Sequence, residues 1–285
     1  MKFKVAVAQM DSRVGDLESN LARHMALTDQ ALKRGANLIV FPELSLTGYS
    51  LKDIAWEIAL DPERSKHIKT LRTKSKKISI VLGFVENGPH HGIYNSALLL
   101  EDGEVKHIHR KIYPPTYGMF EEGRYFSAGS TVSAFSSKWG RLGILVCEDM
   151  WHLSLPYLLA MDGAEVILCP TASPARTSGN RPTLQNAEVN YEQLRSYARL
   201  LSTYIIFANR VGVEDGVTFW GGSAVVGPDG SMRSTAKLLT EDLITADIDS
   251  EEVRRARRFS RHFLDERPEI VLRSLRRILS SRLSS

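Results

Sequence analysis

The stretch KWGRLGILVCEDMWH, residues 138–152, contains an apolar run that ends on a cysteine, which two acids follow at once. A short apolar run of this kind is typical of a buried β-strand. A thiol at the end of a buried strand can be a small core residue or a nucleophile, and its neighbours decide which. Cys147 therefore has to be interpreted together with the strands around it.

Strand-like and helical patterns alternate along the whole chain. Strands are predicted at 3–9, 37–43, 78–86, 94–111, 140–149, 204–212, 223–232 and 243–249. The runs at 94–111 and 223–232 are hairpins, because turn sequences containing Asp-Gly interrupt them. Helices are predicted at 17–32, at 61–77, at the start of 156–170, where a strand follows, and at 184–202. This alternation predicts a layered α/β protein with mixed sheets covered by helices.

The first helix has recognisable ends. Asp16 is the predicted cap, and Gly35 is the predicted stop signal. The core-facing side is predicted to consist of Leu17, Leu21, Met25 and Leu32.

Composition excludes several classes of protein. The 285 residues are 43% hydrophobic and contain no repeat, linker or low-complexity tract, which favours a single domain with a full core. The chain has no apolar run long enough to span a membrane and no signal-like start, so we expect a cytoplasmic location and no membrane partner. With only Cys147 and Cys169, it has neither a disulfide framework nor a Cys-rich zinc site.

The net charge of +4 raises the question of nucleic-acid binding. The basic excess lies late in the chain, in EEVRRARRFSRHF (251–263) and RSLRRILSSRL (273–283). These arginines stand beside acids and at helical spacing, which favours a solvated or subunit-facing helix, and no nucleic-acid-binding motif accompanies them. We therefore expect no nucleic-acid partner.

Three predicted strands end on reactive groups: Glu43, Lys111 and Cys147. In layered α/β proteins, ligands collect at strand ends, where several segments can converge. Each residue alone has an ordinary explanation, as a helix cap, a solvated base and a packed thiol respectively. The combination of an acid, a base and a thiol is harder to explain by packing.

The segments around these three residues resemble the nitrilase superfamily of carbon–nitrogen hydrolases. The similar motifs are FPELSLTGY (41–49), HRKIYPPTYGMFEEGRYF (109–126) and GILVCEDMWH (143–152). The resemblance covers nearly the whole chain. It implies one four-layer αββα sandwich over residues 1–285, with a tail at about 250–285 in subunit contacts. It also implies a homodimer or a higher homo-oligomer, which would pair through the Leu155 to Met161 helix and this tail.

The resemblance also assigns residues. The family's catalytic Glu, Lys and Cys correspond to Glu43, Lys111 and Cys147, and a second family Glu corresponds to Glu122, although the adjacent Glu121 leaves that register open. Such chemistry needs no metal and no organic cofactor. Because a free cysteine has a pKa of about 8.5, a base must take the thiol proton, and an ammonium can stabilise the oxyanion that follows.

Within the superfamily, the chain is similar to the glutaminase domain of glutamine-dependent NAD synthetases, on the motifs above and on TASPARTSGNR (171–181). This similarity implies a substrate pocket formed by Tyr49, Tyr117, Glu148 and Ser173. The acids after the cysteine, Glu148 and Asp149, are expected to bind an amino group of the substrate, as in a small zwitterionic amide such as glutamine. The 285 residues contain no Gly-rich ATP-pyrophosphatase loop, so we expect a free-standing amidase.

Other interpretations remain open. A true nitrilase acting on a C≡N carbon, or a glutaminase-like subunit that delivers ammonia to a partner synthetase, would carry the same motifs. A papain-like pair of Cys147 with His107, His109 or His152 is a further alternative. Phe219 and Trp220 either wall the pocket or pack in the core.

Overall fold

The computed structural model describes residues 1–175 and 184–283, which form two six-stranded sheets and a two-stranded ribbon. The first sheet consists, in hydrogen-bonded order, of β14 (Asp242–Asp249), β1 (Lys2–Gln9), β2 (Leu38–Val40), β3 (Ser79–Asn87), β4 (Ile93–Glu101) and β5 (Glu104–Arg110). The second consists of β13 (Met232–Thr235), β12 (Ala224–Val226), β9 (Tyr204–Asn209), β8 (Val166–Thr171), β7 (Gly140–Ile144) and β6 (Phe135–Ser137). The ribbon pairs β10 (Val211–Glu214) with β11 (Val217–Trp220).

Helices flank the sheets. The α-helices of the described residues are α1 (Leu17–Lys33), α2 (Lys66–Ser75), α3 (Glu122–Tyr125), α4 (Ser154–Met161), α5 (Gln185–Leu201), α6 (Ser250–Phe259) and α7 (Pro268–Leu283). Short 3₁₀ turns are formed by Lys52–Ala55, Pro89–His91, Cys147–Trp151 and Arg261–Phe263. In the part of the chain that the structure describes, no helix is both long and apolar enough to cross a membrane.

Alternation along β1 shows how the layers are assembled. Val5 and Val7 lie in one core cluster with residues of the second sheet, such as Leu168, so the two sheets pack face to face. Ala6 and Ala8 point the other way, into a cluster beneath α1 and α2. A third cluster lies between the second sheet and α4 and α5. The order helix, sheet, sheet, helix confirms the predicted four-layer αββα sandwich.

Helix α1 begins as predicted and buries a different face. The Asp16 side chain accepts a hydrogen bond from the Ser19 N–H and caps the helix. The predicted leucine face is only partly buried, whereas a polar stripe is fully buried. That stripe consists of Asn20, His24 and Thr28, spaced four residues apart. Helical periodicity of apolar residues could not reveal it, because polar residues at this spacing ordinarily indicate the solvent side.

Three predicted strands are shorter than expected. The strand predicted at 37–43 comprises only Leu38–Val40. The strand predicted at 140–149 ends at Ile144, and Cys147 begins a 3₁₀ turn. Leu145 and Val146 are fully buried, so their apolar character reflects packing after the chain has left the sheet. The strand predicted at 204–212 divides at Arg210 into β9 and β10. In the hairpins, both Asp-Gly turns form as predicted.

Candidate active site

Glu43 and Lys111 emerge at the same edge of the first sheet. Strand β2 precedes Glu43 and runs parallel to β3. Strand β5 precedes Lys111. It is antiparallel to β4, which is antiparallel to β3, so β5 has the same direction as β2. The two strands therefore end on the same side. The Lys111 Nζ atom donates to Glu43 Oε1 at 2.7 Å, and both side chains are almost completely buried.

Glu122 completes this ion-pair cluster. Its Oε1 atom accepts from Lys111 Nζ at 2.8 Å and from the Tyr49 hydroxyl at 2.5 Å. Glu121 is exposed and pairs with Arg124 on the surface. Of the two candidate glutamates, the structure thus places Glu122 in the cluster, because it opens α3 with its side chain inward.

Asn95 belongs to the cluster although the sequence did not indicate it. Its Nδ2 atom lies 2.8 Å from Glu43 Oε1 and 3.3 Å from Glu122 Oε2, so one amide bridges the two carboxylates. Within the described residues, Asn95 Oδ1 and Glu43 Oε2 are buried without a hydrogen-bond partner. The available signal was the pair Asn95 and Ser96 in the strand IYNSALLLE, directly before its apolar run 97–100. Polar residues there need buried partners.

Cys147 approaches the cluster from the second sheet. Its φ of +47° lies in the left-handed region, which is costly for a residue with a Cβ and recurs at functional sites. Burial raises the pKa of the Cys147 thiol well above its usual value and the Glu43 carboxylate adds to this, while Lys111 and the Ala172 backbone N–H oppose it. The thiol is therefore neutral at neutral pH and not a preformed thiolate.

Lys111 carries its charge throughout. Burial alone would lower the pKa of this ammonium, but the carboxylates of Glu122 and Glu43 hold that pKa well above its usual value. For Glu122, burial raises the carboxyl pKa and Lys111 opposes the rise. The cluster is thus a permanent ammonium shared between two buried acids.

The Cys147 turn is attached to the Lys111 segment by Asp149. This side chain is fully buried and accepts from the backbone N–H groups of Ile112 at 3.0 Å and Tyr113 at 3.1 Å. It also lies 2.8 Å from His109 Nε2. The expectation that Asp149 binds substrate is therefore wrong, because its oxygens are already engaged in joining the two sheets.

An open cavity of about 550 Å³ leads to Cys147. It is lined by Tyr117, Phe120, Glu148, Trp151, Ser173, Pro174, Gln185, Asn186, Val189 and Asn190. The Tyr117 hydroxyl donates to Glu148 Oε2 at 2.8 Å. Burial raises the pKa of the Glu148 carboxyl, and Tyr117 and Lys111 only partly oppose this rise. Three of the four predicted pocket residues, Tyr117, Glu148 and Ser173, therefore border one space.

Tyr49, the fourth, does not line this cavity and borders a smaller one together with Glu122. Its backbone N–H donates to Glu214 Oε1 at 3.1 Å, and its ring meets Phe219 edge-on at 5.7 Å. Glu214 in turn accepts from the buried Arg210 at 2.6 Å. The ribbon of β10 and β11 thus holds the Tyr49 hydroxyl against Glu122.

The other predicted candidates have their own contacts. His152 stacks on Tyr113, and its Nε2 atom lies 3.8 Å from Glu148 Oε1. His107 stacks on Phe135 with ring centroids 4.0 Å apart, and His109 is occupied by Asp149. Trp220 and Phe219 are packed in the interior, at 0% and 1% exposure. Cys169 is buried, as expected, with its sulfur 3.3 Å from Thr171 Oγ1.

Residues 176–181 of the TASPARTSGNR segment lie outside the described residues, whereas Ser173 lies within them. Among residues 1–175 and 184–283, no group of three or more His, Cys, Asp or Glu side chains could hold a metal ion.

Comparison with known proteins gives concordant matches. The model of a family described as carbon-nitrogen hydrolase matches residues 4–258. The glutamine-dependent NAD(+) synthetase of Acinetobacter baylyi is 31% identical over 252 residues, which make up 88% of this chain and 45% of the synthetase. The chain therefore spans about half the length of that relative.

Two solved structures match over almost their whole length. A carbon-nitrogen hydrolase from Helicobacter pylori G27 has a TM-score of 0.83 at 25% identity, covering 94% of this chain and 96% of that one. The amidase from Nesterenkonia sp. AN1 has a TM-score of 0.79 at 25% identity, covering 95% and 96%. That structure, of a mutant of the amidase, shows the acetamide moiety of fluoroacetamide added covalently at the active-site cysteine.

Proposed function

Because the chain belongs to the carbon–nitrogen hydrolase family, we propose that it hydrolyses a small carboxamide to a carboxylate and ammonia through a thioester on Cys147. The observation that carries this proposal is the state of the Glu43 carboxylate. Its Oε1 atom is fixed by Lys111 and Asn95, while its Oε2 atom is buried and, among the described residues, unpaired. A fixed carboxylate with one free oxygen beside a neutral thiol is suited to act as a general base.

In the first half-reaction, Glu43 accepts the thiol proton as Cys147 sulfur attacks the amide carbon. Because the pKa of the Cys147 thiol is raised, the thiol has to lose its proton as its sulfur attacks, and a positioned base is needed to accept that proton. The carbonyl oxygen becomes an oxyanion, and the ammonium of Lys111 stabilises it. One such fixed donor contributes about 3 to 4 kcal/mol to the transition state.

The tetrahedral intermediate then collapses. Protonated Glu43 returns its proton to the leaving nitrogen, the C–N bond breaks, and ammonia departs from the Cys147 thioester. In the second half-reaction Glu43 takes a proton from water, which attacks the thioester and releases the carboxylate and the thiol. Glu122 holds Lys111 in place during both steps, with Tyr49 and Asn95 fixing its oxygens.

We further propose that Glu148 selects the substrate. It is a partly buried carboxylate beside the nucleophile, with Tyr117 on one oxygen and Ser173 in the same cavity. An ammonium group would pair with it, as the amino group of glutamine or of a similar ω-amide would do. Tyr49 contributes through its hydrogen bond to Glu122.

The experiment is a measurement of ammonia and carboxylate released from matched amides and nitriles, including glutamine, by the wild type and by Cys147→Ala. The proposal predicts equal yields of both products from an amide, none from any nitrile, and none from Cys147→Ala. Turnover of nitriles would instead support the nitrilase alternative. Absence of turnover, combined with co-purification of an ATP-dependent enzyme, would support a subunit that delivers ammonia, as the similarity to NAD(+) synthetases allows.

Self-association is a separate proposal, with a second copy of the chain as the partner. Helices α4, α5 and α7 border an apolar cavity of about 800 Å³, at which Leu153 and Leu200 are 70% and 56% exposed. Covering such a surface with its own copy would remove apolar area from water. Light scattering at micromolar concentration should return at least twice the mass of one chain, whereas the mass of one chain would contradict the proposal.

A cytoplasmic location is also proposed, because both cysteines are free.

A further inference from the structure

The turn that carries Glu43 is tied to helix α1 by a buried histidine. Leu44, directly after Glu43, has a φ of +48°, so the turn is held in a conformation that is costly for leucine. His24 is fully buried, and its Nε2 atom lies 3.0 Å from Ser45 Oγ in this turn. The restraint therefore acts two residues from Glu43.

The hydrogen bonds of His24 allow one tautomer. Its Nδ1 atom lies 2.7 Å from the carbonyl oxygen of Asn20, which can only accept, so Nδ1 carries the proton. Nε2 must then accept the hydroxyl proton of Ser45. The ring also packs on Phe41 at 4.1 Å, which fixes its orientation. His24 thus offers a rigid acceptor to the turn.

Two further contacts fix the same turn. The Gly83 N–H points to Ser45 Oγ at 3.4 Å, and Asn20 Nδ2 donates to the Leu46 carbonyl oxygen at 3.1 Å. Burying polar side chains on this face of α1 costs free energy, whereas burying leucine side chains at the same positions would not. Thr28 lies one turn further along the same buried face, yet its Oγ1 has no partner among the described residues. The link is therefore specific to the part of the helix that faces Glu43.

We propose that His24 is a positioning residue for Glu43: through Ser45 it holds the left-handed turn that aims the carboxylate at Cys147. This inference rests on the proposed role of Glu43 as a base. It adds a residue outside the cavity, since His24 is not among the described side chains that line it.

The test measures the rate at which iodoacetamide alkylates Cys147, followed by peptide mass spectrometry, so that no substrate has to be known. His24→Leu and Ser45→Ala are compared with the wild type, each with and without Glu43→Gln. Thr28→Val, a change of equal size on the same buried face, is the matched control. Thermal unfolding of each variant is recorded in parallel, and Ser45→Ala serves if His24→Leu does not fold.

The proposal predicts that Glu43→Gln slows alkylation of the wild type by about 10-fold or more, but by less than about 2-fold in either variant, because Glu43 is already misplaced there. Thr28→Val should behave like the wild type. If Glu43→Gln slows all backgrounds by the same factor, His24 is merely structural and the inference is wrong. If Glu43→Gln leaves the wild type unchanged, the role of Glu43 as a base fails, and this inference with it.

Discussion

Gly83 lies against the backbone of Leu44 so closely that a Cβ on Gly83 would be 2.3 Å from the Leu44 nitrogen. It would also be 2.8 Å from the carbonyl carbon of Glu43. Both contacts are with backbone, which has no side-chain freedom to yield. The strand β3 can therefore support the Glu43 turn only with glycine at this position.

We expect Gly83→Ala to displace the Glu43 turn and to lower kcat for amide hydrolysis by about 100-fold, the scale of a misplacement of about 1 Å. Gly227→Ala is the control, because the nearest atoms to its Cβ would belong to the side chains of Arg233 and Asp229, which can move. Steady-state kinetics of both variants check the expectation. Full activity of Gly83→Ala would show that the turn tolerates the shift.

Asn95→Leu removes the amide that bridges Glu43 and Glu122 and keeps a similar volume. Repulsion between the two carboxylates then increases, and Glu43 Oε1 loses one of its two donors. We predict that kcat falls by about 10-fold or more while KM stays within about 2-fold, since Asn95 does not line the cavity. A change confined to KM would place Asn95 in substrate binding instead.

Breaking the buried pair of Arg210 and Glu214 should be costly for stability. Arg210→Leu leaves Glu214 buried without its guanidinium partner, which we expect to lower the free energy of unfolding by about 3 to 5 kcal/mol. The exposed pair of Lys52 and Asp215 is the comparison, because water screens it and Lys52→Ala should cost far less than Arg210→Leu. Urea unfolding of both variants measures the difference, and equal costs would contradict the account.

The buried His24 should also make the stability of the folded protein depend on pH. Burial lowers its pKa from 6.5 to about 4. The unfolded chain therefore binds a proton at this residue that the folded chain does not, and stability falls as pH drops from about 6.5 towards 4. At pH 5, protonation of this residue in the unfolded chain lowers the free energy of unfolding by about 2 kcal/mol. Unfolding measured at pH 7 and pH 5 should show a smaller loss in His24→Leu than in the wild type, and an equal loss would argue against a neutral buried His24.

The sequence was sufficient for the residues that end predicted strands. Glu43 follows an apolar run and Lys111 follows the second strand of a predicted hairpin, and strand order brings them to one edge. Asn95 and His24 could not be predicted in the same way, because a polar residue in an element reveals no partner until distant segments pair. Asn95 and Glu43 are 52 residues apart in the chain.

Cys147 illustrates a second limit. Leu145 and Val146 continue the apolar run, so nothing in the pattern marks the point at which the chain leaves the sheet at Ile144. Likewise, Glu121 and Glu122 are equivalent in sequence, and only the start of α3 turns one of them inward. Asp149 looked like a partner of Glu148 in binding because both follow the cysteine, but the 3₁₀ turn directs it into the interior.

The central claim is that Glu43 serves Cys147 in forming and breaking a thioester. The most direct measurement is the intact mass of the protein quenched during turnover of an amide that it hydrolyses, with peptide mapping of the adduct. The account predicts an acyl group on Cys147 in the wild type and a much slower appearance of that group in Glu43→Gln. An acyl group on another residue, or equal rates of acylation in both proteins, would contradict it.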